Sequence, residues 1–192
     1  MKKYFCQSQK GFTLANMLIT LSILVILSAL VLSIYFSYNN VLKIYLAKTD
    51  LQTYNIIALN RIASMIKSAN NIPETKTINS NSYTTSTDTL ILELPSVDSN
   101  QDIITNTYDY IVYYLDLADT TKLKSSTEAA AGSVRITGDN LVANNVKNLI
   151  FNYNNDQISS ANRVNITLTL EKVVNNKVLK LVSQTSAGLR NK

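Results

Sequence analysis

Lys10-Gly11-Phe12-Thr13-Leu14 is the stretch that decides the fold, because it opens an apolar run with no charged residue from Gly11 to Leu42. The most apolar part, Met17 to Phe36, spans about 30 Å as a helix rising ~1.5 Å per residue, which matches the hydrocarbon core of a bilayer. A helix satisfies its own backbone polar groups in lipid, and serine hydroxyls within it can bond back to carbonyls one turn earlier. The sequence therefore predicts a transmembrane helix over residues 12–38.

Basic residues in front of this segment predict its orientation. Lys2, Lys3 and Lys10 precede the apolar run, so the positive-inside rule places the N-terminus in the cytoplasm and the rest of the chain outside it. A secretory signal peptide has a shorter apolar core and a small-x-small cleavage site after it. Here the core is longer, and the residues after Phe36 continue a helical pattern. The favoured interpretation is a single-pass anchor in the cell membrane that stays attached to its head.

The residues Gly11-Phe12-Thr13-Leu14 resemble the processing site of type IV prepilins and type II secretion pseudopilins. In that family a short basic leader ends in Gly, and a transmembrane helix begins at once with Phe-Thr-Leu. The resemblance implies that a membrane prepilin peptidase cuts between Gly11 and Phe12, removes the leader 1–11, and leaves Phe12 to be N-methylated. It also implies other pilin or pseudopilin subunits and a filament assembly platform as partners, and a cell-surface or periplasmic filament as the final location.

Asn16 departs from the family pattern, which has Glu at the fifth position of the processed chain. The family's carboxylate is thought to pair with the N-terminal amine of a neighbouring subunit, because an unpaired charge in lipid is costly. Asn16 is neutral, but its amide can still donate and accept hydrogen bonds across a helix interface. Two interpretations remain open: a special position at the filament tip or in the initiation complex, or a tolerated polar substitution in an ordinary subunit.

An amphipathic extension over residues 39–72 is predicted to continue the transmembrane helix until Asn70-Asn71-Ile72-Pro73 ends it. Apolar residues recur there at spacings of three and four, and we expect this stripe to form the partner surface together with an apolar face of the first half. Ile56, Ile57 and Leu59 widen the stripe, so part of it is expected under the head. The stripe consists of Ile44, Ala47, Leu51, Tyr54, Ala58, Ile62, Met65 and Ile66, and the assembly residues of the first half are Thr13, Leu14, Asn16, Leu18, Leu21 and Val25.

Residues 73–192 are predicted to form an antiparallel β-sheet head, which gives an α+β, pilin-like fold with a long N-terminal helix. Arg163 to Lys172 alternates apolar and polar residues, as a strand covered on one face does. Asn175-Asn176 favours a tight hairpin after it, with a second strand through Val182. Glu74 to Thr87 is expected to be a loop and Ser183 to Lys192 a frayed tail. The other predicted strands are Thr89–Leu94 (stopped by Pro95), Tyr108–Leu115, a short strand around Leu123, Ser133–Thr137 and Val146–Tyr153.

The head carries a second, less specific resemblance. Tyr108 to Tyr114, Leu141 to Tyr153 and Val164 to Leu168 are similar to strand patterns of the minor pilins and pseudopilins of the J/W type, which are tip-complex subunits. A missing fifth-position Glu is more often a feature of the K-type subunit. The two resemblances point to different types of minor subunit, so they leave open the exact role, whether the subunit is major or minor, and its place in the filament.

Composition limits the chemistry available to the head. The formal charge is +5, and without Lys2, Lys3 and Lys10 it is +2, so charge alone does not predict nucleic-acid binding. Cys6 is the only cysteine and lies in the leader, so the head is expected to fold without a disulfide. The chain has no histidine, which removes His-based metal sites and catalytic triads. We therefore expect no enzymatic activity, no cofactor and no metal.

Three weaker candidates for chemistry concern acids and tyrosines. A calcium site could draw on an acidic stretch, but the residues have no EF-hand spacing and solvated loop acids are the favoured interpretation. Glu93 and Glu171 could in principle act as a glycosidase pair, although both occupy outward strand positions. The tyrosines could stack on sugars or bases, and sheet packing is the commoner explanation. The acids are Asp98, Asp102, Asp109, Asp116 and Asp119, and the tyrosines are Tyr108, Tyr110, Tyr113 and Tyr114.

A different class of protein also fits the sequence. An uncleaved single-pass membrane protein with an extracytoplasmic ligand-binding head, such as an adhesin or a sensor, would share the anchor and the sheet. The two classes differ at the mature N-terminus, which begins at Phe12 in a processed subunit and at the leader in a plain anchor.

Overall fold

One long helix precedes the sheets in the computed structural model, which describes residues 13–190. Helix α1 runs from Leu14 to Ser68 without interruption. The chain divides into two compact units, 1–44 and 45–192, and α1 passes through both. The predicted helix is confirmed from Leu14, and it ends four residues before the predicted boundary at residue 72.

Nine strands follow the helix and form three antiparallel sheets among the described residues. β1 and β2 make a two-stranded sheet, β3 to β6 make a four-stranded sheet in sequential order, and β7 to β9 make a three-stranded one. A 3-10 turn at Ile158–Ser160 precedes β8. The strands are β1 Thr75–Ile78, β2 Asn81–Thr84, β3 Leu90–Val97, β4 Ile103–Leu115, β5 Leu123–Glu128, β6 Gly138–Ala143, β7 Val146–Tyr153, β8 Arg163–Val174 and β9 Lys177–Gly188.

The main core of the second unit lies between the later part of α1 and the two larger sheets. Leu51, Ala58 and Ile62 on the helix belong to one buried cluster with Tyr113 of β4 and Ile166 of β8. Full burial of a large apolar side chain contributes about 1.5–3 kcal/mol, so this helix face holds both sheets together. The α+β fold with a long N-terminal helix on antiparallel sheets is confirmed.

Most of the apolar stripe of the helix extension is buried under the head, where part of it was expected, so the prediction of a partner surface is wrong for these residues; Tyr54 of the stripe is 40% exposed. Ala47, Leu51 and Ile62 are at most 5% exposed because the sheets of the same chain cover them. Leu59 joins them as expected, but Ile56 and Ile57 are 60% and 55% exposed and lie on the other side. Periodicity marks a face that becomes buried, and it does not specify which surface buries it.

Several strand predictions are confirmed. Val146–Tyr153 is β7 from end to end, and Tyr108–Leu115 and Arg163–Lys172 lie inside β4 and β8. The hairpin between β8 and β9 turns at Asn175 and Asn176, whose φ angles are 50° and 59°. Asparagine tolerates this left-handed conformation better than most residues do.

The segment Glu74–Thr87 is not a loop but contains the β1–β2 hairpin. The turn residues Asn79 and Ser80 have φ angles of 49° and 67°, as a tight hairpin requires. The Asn79 side chain then donates to Ser126 Oγ at 2.9 Å, which ties the turn to β5. The segment is polar because it covers another sheet with one face and meets water with the other.

Pro95 does not stop β3, which continues to Val97. β3 is the outer strand of its sheet, and the Glu93 N–H donates to the Asn71 carbonyl at 3.0 Å on the side away from β4. N–H positions two residues apart face the same edge, so the nitrogen of Pro95 also faces away from β4 and no ladder bond is lost. β4 in turn begins at Ile103, earlier than predicted.

The C-terminal segment does not fray as predicted within the described residues. β9 continues through Ser183 to Gly188 and pairs along the whole length of β8. Ala187 and Leu189 are 2% and 8% exposed. These apolar side chains at the end of a polar stretch fix the strand against the core.

Candidate functional site

The part of α1 in the first unit exposes its apolar side chains on all sides. Every large apolar residue from Leu14 to Leu42 is between 37% and 80% exposed. The stretch is long and apolar enough to cross a membrane by length and composition. Water is an unfavourable solvent for such a surface, so this part of the helix favours an apolar environment.

Four of the predicted assembly residues share one side of this helix. Leu14, Leu18, Leu21 and Val25 follow one another at spacings of four, three and four, which places them in one row. Their exposed fractions are 80%, 59%, 64% and 60%. The structure therefore leaves this row open for a neighbour, although equally apolar residues stand on the other sides.

Three hydroxyl groups in the apolar stretch are satisfied inside the helix. Thr20 donates to the Asn16 carbonyl at 2.7 Å, and Ser22 and Ser28 donate to the Leu18 and Leu24 carbonyls, each at 2.8 Å. The predicted back-bonding is thus confirmed for Ser22 and Ser28. These bonds lower the cost of placing a hydroxyl in lipid, because the donor needs no water.

The first turn of α1 contains the remaining assembly candidates. The Thr13 carbonyl accepts from the N–H groups of Asn16 and Met17 at 2.9 and 3.2 Å, so Thr13 begins the helix. Asn16 is exposed within that turn. The processing candidates Gly11 and Phe12 lie outside the described residues.

A buried carboxylate in the head is the most elaborate polar site of the described chain. The Asp109 side chain is 0% exposed and Arg135 forms an ion pair with it. Its oxygens also accept from Ser96 Oγ at 2.8 Å, the Ala130 N–H at 2.8 Å and Ser133 Oγ at 2.7 Å. Asp109 on β4 thereby anchors the β5–β6 loop and the end of β3 at one point.

The pKa of Asp109 reflects two opposing effects. Burial by itself raises the pKa of the carboxyl, since the charged form loses water. The hydrogen bonds from Ala130, Ser133, Arg135 and Ser96 together outweigh burial and hold the pKa below its usual value. The Asp109 carboxylate therefore stays charged, and the groups that bind it all belong to the head itself. This arrangement is typical of a residue that stabilises the fold.

The predicted strand Ser133–Thr137 is wrong, and the Asp109 site supplies the reason. Residues 129–137 form a loop, in which Ser133 and Arg135 turn inward and Arg135 also donates to the Pro95 carbonyl at 2.6 Å. A buried charge recruits donors from several elements, and this outweighs local strand propensity. A charged residue placed between Val134 and Ile136 was the sequence signal that could have suggested an ion pair.

The other acids of the stretch are not brought together. Asp98 accepts from the N–H groups of Asn100 and Asp102 in the β3–β4 turn, at 2.8 and 3.0 Å. Asp116 pairs with Lys124 at 2.7 Å, and Asp119 pairs with Lys122 at 3.0 Å. No group of three or more metal-ligating side chains occurs among residues 13–190. The acids of this part of the chain stabilise turns and ion pairs.

The tyrosines of β4 pack on both faces of the four-stranded sheet. Tyr113 lies in the main core, and its burial raises its pKa to about 12 against the opposing charge of Arg61. Tyr110 and Tyr114 belong to a second cluster beneath the β1–β2 hairpin, whereas Tyr108 is 38% exposed. Sheet packing thus explains the three most buried rings.

The two candidate glutamates belong to different sheets. Glu93 on β3 accepts from the Tyr110 hydroxyl at 3.2 Å, and Glu171 on β8 lies 3.9 Å from the Lys147 ammonium. Each therefore has its own partner and they do not form a carboxylate pair.

Comparison of the chain with known protein families and with curated protein sequences finds no match.

Proposed function

We propose that the chain is a filament subunit of the type IV pilin and type II secretion pseudopilin class. The observation that carries the proposal is the change along α1, from apolar residues exposed on all sides to residues buried on one side under the head. The first part suits lipid before assembly and packed helices after it, and the second part holds the head. The Gly11-Phe12 motif at the start of the same helix supports this proposal from sequence.

Processing releases the helix from its orientation signal. A cut between Gly11 and Phe12 removes Lys2, Lys3 and Lys10, which hold the N-terminus at the cytoplasmic surface. The remaining helix has no charged side chain before Lys43, so the new N-terminal amine of Phe12 is the charge that accompanies its movement from lipid into a bundle of similar helices. Close van der Waals packing then drives association, because lipid and neighbouring helices are equally apolar.

Asn16 favours a minor position in the filament. Its amide offers hydrogen bonds in the first turn but no carboxylate for the amine of a neighbouring subunit. A subunit at the tip or in the initiation complex has neighbours on one side only, so it can function without the carboxylate that would pair with the amine of a second neighbour. The head would then lie outside the cytoplasm at the end of the filament.

The test is the mature N-terminus of the protein extracted from membranes of cells with and without prepilin peptidase. Mass spectrometry should find a chain that starts at N-methylated Phe12 in the first case and keeps the leader in the second. Gly11→Val should block the cut, because a β-branched side chain obstructs the backbone there, and Gln9→Val is the matched control. A chain that retains its leader in peptidase-competent cells overturns the proposal and favours the plain anchor.

A further inference from the structure

A cleft opens on the outer face of the four-stranded sheet, beside the β1–β2 hairpin. Its volume is about 560 Å³, which lies in the range of small-molecule sites. The cleft lies between the hairpin, which contributes Tyr83, and the β4–β5 loop, which follows Tyr114. It belongs wholly to the second unit and takes no part in the proposed assembly.

Two tyrosines form the aromatic part of the cleft. The rings of Tyr83 and Tyr114 have centroids 5.1 Å apart and planes tilted by 45°. Burial raises the pKa of Tyr114, and its hydrogen bond with Tyr83 raises it further, so the Tyr114 phenol stays neutral. Neutral rings of this kind present an apolar face and a hydroxyl in the same place.

Acceptors and neutral polar groups complete the lining. Asp88 and Asp116 contribute carboxylates, and Asn81 and Thr120 contribute an amide and a hydroxyl. The Asp116 carboxylate is bound by Lys124 at 2.7 Å, and Asp88 accepts from Ser86 Oγ at 2.5 Å. These bonds hold the two carboxylates in fixed positions around the rings.

The lining excludes two classes of ligand. It contains no Lys or Arg, and the Lys124 ammonium is already paired, so phosphates, acidic sugars and nucleic acid find no cation there. A quaternary amine needs aromatic faces on several sides. Tyr83 and Tyr114 pack against each other and leave no space for a cation between their rings.

We propose that this cleft binds a neutral saccharide. A sugar ring offers an apolar C–H face for the tyrosines and hydroxyl groups for carboxylate and amide acceptors. The site adds a ligand to the head and does not depend on whether the helix is cleaved or assembled. Its occupant is a short oligosaccharide segment, since the cleft is open to solvent and the exposed Leu117 is part of its lining.

The experiment uses the full chain in amphipol, because detergents with sugar headgroups and lipids with phosphocholine headgroups would compete with the probes. Maltotriose, cellotriose, triacetylchitotriose and lactose are the neutral probes, and choline and inorganic phosphate are the charged ones. Saturation-transfer NMR and calorimetry should find at least one neutral saccharide that binds with a Kd of about 1 mM or tighter. Binding of choline or phosphate without any neutral saccharide overturns the proposal, as does the absence of all binding.

Variants localise the binding. Asp88→Ala, at an exposed position, and Tyr83→Leu should each weaken the saccharide at least tenfold. Tyr108→Leu is the matched control, because Tyr108 is an exposed tyrosine of β4 outside the cleft, and its affinity should equal that of the parent chain. Thermal unfolding of each variant verifies the fold, and Asp88→Ala decides the matter if Tyr83→Leu unfolds. Unchanged affinity in a folded Asp88→Ala chain overturns the proposed site.

Discussion

Replacement of Arg135 by methionine tests the buried site most directly, because Met keeps the volume of the side chain and removes its charge. The variant leaves the fully buried Asp109 without its cation and the Pro95 carbonyl without its donor. Loss of one partner of a buried ion pair costs 3–5 kcal/mol in typical cases. Ser96, Ser133 and the Ala130 N–H still solvate the carboxylate, so we expect a loss near the lower end, about 3 kcal/mol.

Guanidinium unfolding of the full chain in micelles measures this loss. The chain has no Trp, so tyrosine fluorescence reports on the head. Arg163→Met is the matched control, since Arg163 lies exposed on β8, and it should change the free energy of unfolding by less than about 0.5 kcal/mol. The double variant Asp109→Asn with Arg135→Met should recover part of the loss, because it leaves no unpaired charge.

The pH dependence supplies an independent check. The pKa of Asp109 is lowered in the folded chain, so its contribution to stability is present above the unfolded value near pH 4 and disappears as pH falls below it. Without Arg135 the pKa of Asp109 rises. Protonation at low pH then neutralises an unpaired buried carboxylate in the variant, whereas in the parent chain it removes a carboxylate that stabilises the fold. The difference in the free energy of unfolding between parent and variant should therefore become smaller from pH 7 to pH 3. A loss under about 1 kcal/mol, or a gap that stays constant with pH, refutes the reasoning.

Three further predictions concern the helix. Ile62→Ala should lower the free energy of unfolding by about 2–5 kcal/mol, because Ile62 is fully buried. Ile57→Ala, at an exposed position of the same helix, should change it by less than about 0.5 kcal/mol. Equal losses of the two variants in chemical unfolding would contradict the observed burial. Asn55→Leu should raise the unfolding midpoint, because the buried Asn55 Nδ2 has no hydrogen-bond partner among residues 13–190; a lower midpoint would show a hidden polar role. Asn16→Glu should move the subunit from the tip toward the filament shaft in labelled, purified filaments, and unchanged incorporation and position would remove the special role proposed for Asn16.

The local elements were predicted where a strong pattern coincides with burial. The long helix, β7 and the core of β8 follow from uninterrupted apolar or alternating residues, and the β8–β9 turn follows from Asn175-Asn176. Two of the missed strand segments are polar. The β1–β2 hairpin and the end of β9 have weak local patterns, and they form strands because Ile78 and Ala187 pack against the rest of the fold. Local propensity could not show these contacts, because both depend on residues distant in sequence.

The candidate sites also differ in whether their residues are contiguous in sequence or come together only in the fold. The candidate membrane segment and the proposed processing motif are both contiguous stretches, so the sequence alone could suggest them. The Asp109–Arg135 pair joins residues on β4 and on a later loop, and the Tyr83–Tyr114 cleft joins a hairpin to β4. Neither has a fixed spacing, so the sequence offered only the individual residues as candidates.

The sequence by itself determined that an uncharged apolar stretch near the N-terminus is long enough to cross a membrane as a helix and that an antiparallel head follows it. Apolar periodicity is a local property, and it suffices for helix, strand and membrane length. Only the tertiary structure decided which side of the helix extension is covered. The sheets bury the Leu51–Ile62 side and leave Ile56 and Ile57 exposed. The reason is that a helix with apolar residues on two sides can be buried on either, and long-range packing selects one of them.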